Sequence, residues 1–175
     1  MEEILKKQEK GDTGFCRHYL TLYSVIIGME AKEVFEFGAG YSSYVILEAL
    51  KKTGGKLTSC DVRKSNEIGV EIDNPEWNFI QNDSRYLDIE GSFDVVLHDG
   101  SHDPQTVEED LNKIIPLMKQ DSLLLIHDTE HDYGLKSVAE KIDYPQVTLP
   151  YGYGLTIIRI LDGKDKIKLT WKKSQ

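Results

Sequence analysis

The chain has 175 residues, two cysteines, and 30 acidic against 21 basic side chains, for a formal charge of −9. That length suits one domain with a real core, and so acidic a chain is a poor partner for nucleic acid; the only basic run, Lys164–Lys173, reads as a solvated strand face. No run approaches the roughly 18 consecutive apolar residues of a membrane span. The charged start MEEILKKQEKGD lacks the apolar stretch of a signal peptide, so a cytoplasmic protein with reduced thiols, a small-molecule substrate and no membrane partner is expected.

The opening segment reads as an amphipathic helical leader. Between Thr13 and Met29, Phe15, Tyr19, Leu22 and Ile26 recur at helical spacing. An apolar strand at Glu33–Phe37 leads through Gly38 and Gly40 into a helix over Ser43–Lys52, which Thr53-Gly54-Gly55 ends. Lys56–Asp61 is the second strand, with Cys60 as a buried thiol. Ser65–Ile72 reads as a short helix, Trp77–Gln81 as strand three and Phe93–Leu97 as strand four. Asp103-Pro104 opens a helix through Thr106–Met118 that puts Val107, Leu111, Ile114, Ile115 and Met118 on one face. Gln120-Asp121 turns the chain into strand five, Ser122–Ile126, apolar enough for burial on both faces. His131–Lys141 reads as the next helix. Gln146–Leu149 and Leu155–Leu161 follow with no helix between them, so they form an antiparallel hairpin. Ile167–Trp171 is a candidate edge strand in a 162–175 tail. The alternation of strands and helices predicts an α/β fold, a Rossmann-like doubly wound sheet in a single 1–175 domain.

Three segments carry candidate chemistry. In VFEFGAGYSS, Val34–Ser43, a strand ends in the acid Glu36 and a glycine-rich turn follows. Gly38 and Gly40 let backbone approach a ligand, and Asp61 at the end of the next strand is placed to accept both hydroxyls of a ribose. A dinucleotide fingerprint wants a third glycine, and Ser43 stands in that register. Glu36 would repel a pyrophosphate but favour a cationic cofactor, which points to S-adenosylmethionine. Glu36 could instead be a strand-end carboxylate that caps a nearby backbone amide. The second and third segments are Asp99-Gly100-Ser101-His102 after strand four and His127-Asp128 after strand five. They should meet at one edge of the cofactor cleft, where two carboxylates with a histidine suit a divalent cation. Acids at such strand-to-helix transitions also serve as turn and cap residues. His131 and His18 read as surface or packing histidines, and Trp77 as core.

On these motifs, residues 13–161 resemble the class I S-adenosylmethionine-dependent methyltransferases. Within them the chain is similar to the metal-dependent O-methyltransferases of the catechol and macrolide-sugar type and to the cephalosporin-hydroxylase-like group. The resemblance implies a seven-stranded sheet, mostly parallel, with a C-terminal antiparallel hairpin. It implies that Asp99 and Asp128 hold a metal, with His127 as third ligand, and that His102 is the general base. It also implies that Asp83 and Ser84 bind the adenine, and that Asp99 faces the cofactor. The leader, residues 1–30 including Asp12-Thr13-Gly14, would lie over the cofactor site. Tyr151-Gly152-Tyr153-Gly154 lines the substrate mouth or is an ordinary hairpin loop. The expected function is O-methylation of a small-molecule hydroxyl, with Mg²⁺ or Mn²⁺ as the candidate cation and a homo-oligomer left open. The alternatives are a cofactor-binding module that lacks transferase activity or needs a partner chain, and an NAD-dependent oxidoreductase.

Overall fold

A computed structural model describes residues 2–11 and 14–161. The expectations for Asp12-Thr13 and for an edge strand at 167–171 fall outside the described residues. Strand β1 (Glu33–Phe37) lies beside β2 (Lys56–Asp61), which lies beside β3 (Trp77–Gln81). On the other side of β1 come β4 (Phe93–His98) and β5 (Met118–His127). These five run parallel. β7 (Leu155–Arg159) pairs antiparallel with β5, and β6 (Gln146–Leu149) pairs antiparallel with β7. The seven-stranded order is β3-β2-β1-β4-β5-β7-β6, with β7 the one reversed strand.

Helices cover both faces, because the parallel strands alternate apolar side chains up and down. On one face Val34, Leu57, Val95, Leu97 and Leu125 meet α1 (Glu2–Lys10), α2 (Tyr19–Gly28) and α3 (Tyr41–Thr53). Ile4 of α1 is fully buried there, so the leader packs as part of the core. On the other face Phe35, Phe37, Val96, Leu124 and Ile126 meet α4 (Pro104–Ile114) and α5 (Leu135–Glu140). Asp103 caps α4 by accepting from the Thr106 backbone N–H at 2.9 Å, and Pro104 fills the first turn. Gly54 ends α3 in the left-handed conformation at φ 73°. Among the described residues no helix is long and apolar enough to cross a membrane.

Several element boundaries differ from the sequence reading, each for a local reason. The helix expected over Ser65–Ile72 is a single 3-10 turn at Ser65–Glu67, because Gly69 turns to φ 78° and stops it. The helix expected to reach Met118 ends at Ile114 and tightens into a 3-10 turn, Ile115–Leu117, around Pro116, which has no N–H to donate. β5 therefore starts at Met118, crosses an irregularity at Asp121 (φ 63°), and is twice the length expected. The helix expected from His131 begins only at Leu135, after Gly134 at φ 86°. Residues 128–134 are thus a loop, and they stand at the carboxyl end of the sheet.

Candidate active site

The strand order reverses between β1 and β4, and in doubly wound sheets the ligand crevice opens at that switch point. The two loops there touch. The Asp99 backbone N–H donates to the Phe37 carbonyl at 2.9 Å. Gly38 sits at φ 83°, and a Cβ built on it would lie 2.4 Å from the Asp99 carbonyl oxygen. Only glycine fits between these backbones. Gly40 is extended, caps α3, and has open space where a Cβ would stand.

Glu36 lies on the same face of β1 as Val34, which aims it under the first turn of α3 and away from the crevice. It is 0 % exposed. Its carboxylate accepts from Ser42 Oγ (2.5 Å), Ser43 Oγ (2.5 Å) and Ser59 Oγ (2.8 Å). Ser59 in turn accepts from Trp77 Nε1 at 3.0 Å, and Ser43 from the Gly40 N–H at 3.1 Å. Burial pushes the Glu36 carboxyl up to about 7 against the pull of the three hydroxyls. This corrects the expectation that Glu36 meets a cationic cofactor: strand alternation makes it the buried post to which the glycine-rich turn is tied.

A cavity of about 580 Å³ opens at the switch point, and Gly38, Asp61, Asp83, Ser84 and Asp99 all line it. Asp61 ends β2 and accepts from the Ala39 N–H at 2.9 Å, which ties the turn to the second strand. Arg63 grips the same carboxylate and, despite burial, holds it below the usual carboxylate range. Asp83 begins the loop after β3 and is gripped in the same way by Arg85, at 2.6 Å. Cys60 beside them is a buried thiol whose pKa burial raises to about 11.

The adjoining edge holds the second group of residues. His127 at the end of β5 donates from Nδ1 to Asp99 (2.8 Å) and Asp128 (3.2 Å), and from Nε2 to the Gly152 carbonyl (2.8 Å). All three partners only accept, so both ring nitrogens carry protons. Burial would lower its pKa, yet the two carboxylates carry it up to about 10. Nδ1 of His127 thus stands beside both candidate metal-binding acids, while Nε2 is anchored on the Gly152 carbonyl. His102 also reaches these acids. Its Nε2 lies 2.9 Å from Asp128 Oδ2, and ligand atoms of Asp99, His102 and Asp128 all fall within 4.8 Å of one another. The donor chemistry of that group fits a divalent cation. His102 stacks on Tyr133 at 4.4 Å between ring centroids, with 4° between planes, and Tyr133 stacks on His131 at 3.9 Å. Phe15 and His18 back His127 at 4.9 and 5.6 Å. His18 is a fully buried packing residue, and the hairpin loop supplies Gly152 at φ 58°.

Residues 35–129 match the family model described as "Methyltransferase domain". The chain belongs to this methyltransferase domain family. Its fold is that of the class I S-adenosylmethionine-dependent methyltransferases. Among solved structures it is similar to the SAH-bound Podospora anserina methyltransferase PaMTH1, at 14 % identity over 92 % of this chain and 87 % of that chain, with a TM-score of 0.63. It is similar to the MycE methyltransferase of the mycinamycin biosynthetic pathway in complex with Mg, SAH and mycinamycin VI, at 19 % identity and a TM-score of 0.61. There the match covers 93 % of this chain and 55 % of that chain, so this methyltransferase spans about half the length of MycE. A third similar structure is the Burkholderia thailandensis 1,6-didemethyltoxoflavin-N1-methyltransferase with bound 1,6-didemethyltoxoflavin and S-adenosylhomocysteine, at 19 % identity over 92 % and 87 % of the two chains, TM-score 0.57. No curated protein sequence matches the chain.

The sequence reading missed several residues of this methyltransferase site. Arg63 and Arg85 line the cavity, each two positions after an acid. The repeated Asp-x-Arg spacing, Asp61-Val62-Arg63 and Asp83-Ser84-Arg85, was the available signal. Asp110 reaches the same cavity from α4 and pairs with buried His98 at 3.1 Å. Tyr133 and the Gly152 carbonyl had no local signal, because contacts across long sequence separation place them.

Proposed function

We propose that this methyltransferase transfers a methyl group from S-adenosylmethionine to a hydroxyl of a small molecule, with help from a divalent cation. The observation that carries the reading is the Asp99–His102–Asp128 cluster, which borders the cofactor cavity through Asp99. When bound, S-adenosylmethionine supplies an electrophilic methyl on a sulfonium, and a cation such as Mg²⁺ or Mn²⁺ supplies Lewis-acid polarisation of the acceptor oxygen. The protein's own residues do the rest. Gly38 and Gly40 let the turn approach the cofactor, Asp61 accepts from the ribose, and Asp83 with Ser84 faces the adenine. Asp99 and Asp128 hold the cation. His102 donates from Nε2 to Asp128, which leaves Nδ1 as its basic nitrogen to receive the acceptor's proton. His127 braces the two acids from behind. MycE, whose structure is a complex with Mg, supports a cation on this fold. The membership of His102 in the three-residue cluster also favours a second assignment, in which it is a third ligand.

Titration calorimetry with S-adenosylhomocysteine, with and without Mn²⁺, tests the reading. Binding is expected to respond to the metal in the wild type, and the response should disappear in Asp128→Ala. His102→Ala should keep the metal response and lose turnover if His102 is the base, and lose both if it is a ligand. Cofactor binding without any metal response would move the assignment to a metal-free transferase or a non-catalytic module.

A further inference from the structure

Asp61 is the acid assigned to the ribose, and its hydrogen-bonding capacity is already full. Its Oδ1 accepts from the Arg63 backbone N–H at 2.8 Å and from Arg63 Nε at 3.0 Å. Its Oδ2 accepts from the Ala39 N–H at 2.9 Å and from Arg63 Nη2 at 2.6 Å. A carboxylate offers about four acceptor sites in all, two on each oxygen. Two of the four are held by backbone N–H groups that build the β1 turn and the end of β2. The guanidinium holds the other two, one on each oxygen, which is the pair that two neighbouring ribose hydroxyls would use. Arg63 Nη2 also donates to the Ala39 carbonyl at 2.7 Å, so the guanidinium bridges the glycine-rich turn and the second strand across the cavity wall. The Asp61 side chain is 5 % exposed, whereas that of Arg63 is 49 % exposed. The acid is buried, and the arginine that covers it is half exposed.

We propose that Arg63 is a positioning residue that occupies the ribose-binding face of Asp61 in the unliganded protein and yields it to the cofactor's hydroxyls. The inference rests on the cofactor reading of this cavity. The Ala39 and Arg63 backbone N–H groups hold the carboxylate in place, and the Arg63 guanidinium competes with the ligand for the other two acceptor sites. Removing it therefore strengthens cofactor binding, whereas removing a residue with a purely structural role, or one that contacts the cofactor, leaves affinity unchanged or weakens it. The same arrangement recurs at Asp83 and Arg85. That acid is more open, with its side chain 29 % exposed, so the competition there is weaker.

The experiment is calorimetric titration of the full chain with S-adenosylhomocysteine, on the wild type, Arg63→Met, Arg63→Lys, Asp61→Ala and the double variant Asp61→Ala/Arg63→Met. Arg63→Met should bind about fivefold more tightly, the size of one half-exposed ion pair. Arg63→Lys should fall in between, because an ammonium cannot span both oxygens as the guanidinium fork does. In the Asp61→Ala background the loss of Arg63 should bring no gain, since the contested acid is gone. Unchanged or weaker binding in both Arg63 variants, with circular dichroism showing them folded, overturns the proposal. Arg63→Lys alone decides the matter if Arg63→Met fails to fold. No binding by the wild type sinks the cofactor reading and this inference with it. Wild-type binding without a gain in the variants sinks this inference alone.

Discussion

Replacing Glu36 with glutamine isolates the energetic consequence of burying that carboxyl under α3. In the folded protein burial raises its pKa from 4.5 to about 7, even with Ser42, Ser43 and Ser59 donating to it. Between those two values the folded chain holds a proton that the unfolded chain has released. The contribution to stability is therefore complete below pH 4.5 and is lost as pH rises through 7. The gap between the two values corresponds to about 3 kcal/mol. Glutamine has nearly the same shape and no charge to desolvate, so it should escape this loss. Urea denaturation of both proteins at pH 5 and pH 8 measures it. Carboxylates whose pKa is lowered in the folded protein, such as Asp61 and Asp94, change stability in the opposite direction, but equally in both proteins. Part of that contribution is already lost at pH 5, so the stability difference between variant and wild type should move by roughly 2 to 3 kcal/mol in favour of glutamine on going from pH 5 to pH 8. A difference that does not change with pH would refute the reasoning. It would mean that the three hydroxyls compensate fully for the lost hydration and that Glu36 is ionised in the fold at both pH values.

Asp61→Ala should weaken S-adenosylhomocysteine binding at least about a hundredfold, since it removes two charge-assisted bonds of about 1.5–3 kcal/mol each, as calorimetry would read. Gly38→Ala places a Cβ 2.4 Å from the Asp99 carbonyl at a left-handed backbone position. It should cost about 3 kcal/mol in denaturant unfolding or block folding outright, and a stability equal to wild type would show that the two loops can part. His98→Leu leaves Asp110 buried without its partner and should destabilise by about 3 kcal/mol. The double variant His98→Leu/Asp110→Leu should recover most of that loss, and a double variant worse than the single one would deny the pairing. For the candidate metal cluster, chelation with EDTA should lower methyl transfer to a hydroxyl acceptor in the wild type and leave the residual activity of Asp128→Ala unchanged, as a turnover assay would show.

Sequence by itself determined the order and sense of the strands. Apolar runs at Glu33–Phe37, Lys56–Asp61 and Phe93–Leu97, alternating with amphipathic stretches, leave a parallel sheet as the low-energy solution, and a hairpin follows from two strands with no helix between them. The glycine turn and Asp61 were legible for the same reason, because a strand followed by a tight turn places its next residues at the sheet's carboxyl end. What tertiary structure alone decided is which of two nearby groups faces the ligand. Glu36 and Gly38 are two residues apart in the motif, yet the first is buried beneath α3 and the loop after β4 presses its backbone on the second. His127 and His102 carry the same imidazole. The Gly152 carbonyl from the hairpin anchors Nε2 of His127, whose Nδ1 meets Asp99 and Asp128, while His102 reaches Asp128 from the loop after β4. Local propensity acts over a turn or a strand, whereas hydrogen-bond acceptors arrive from 25 residues away or more, as Gly152 reaches His127. The order of the strands was therefore readable in the chain, whereas several helix bounds and the pairing of donors and acceptors within the site were settled only when the chain closed on itself.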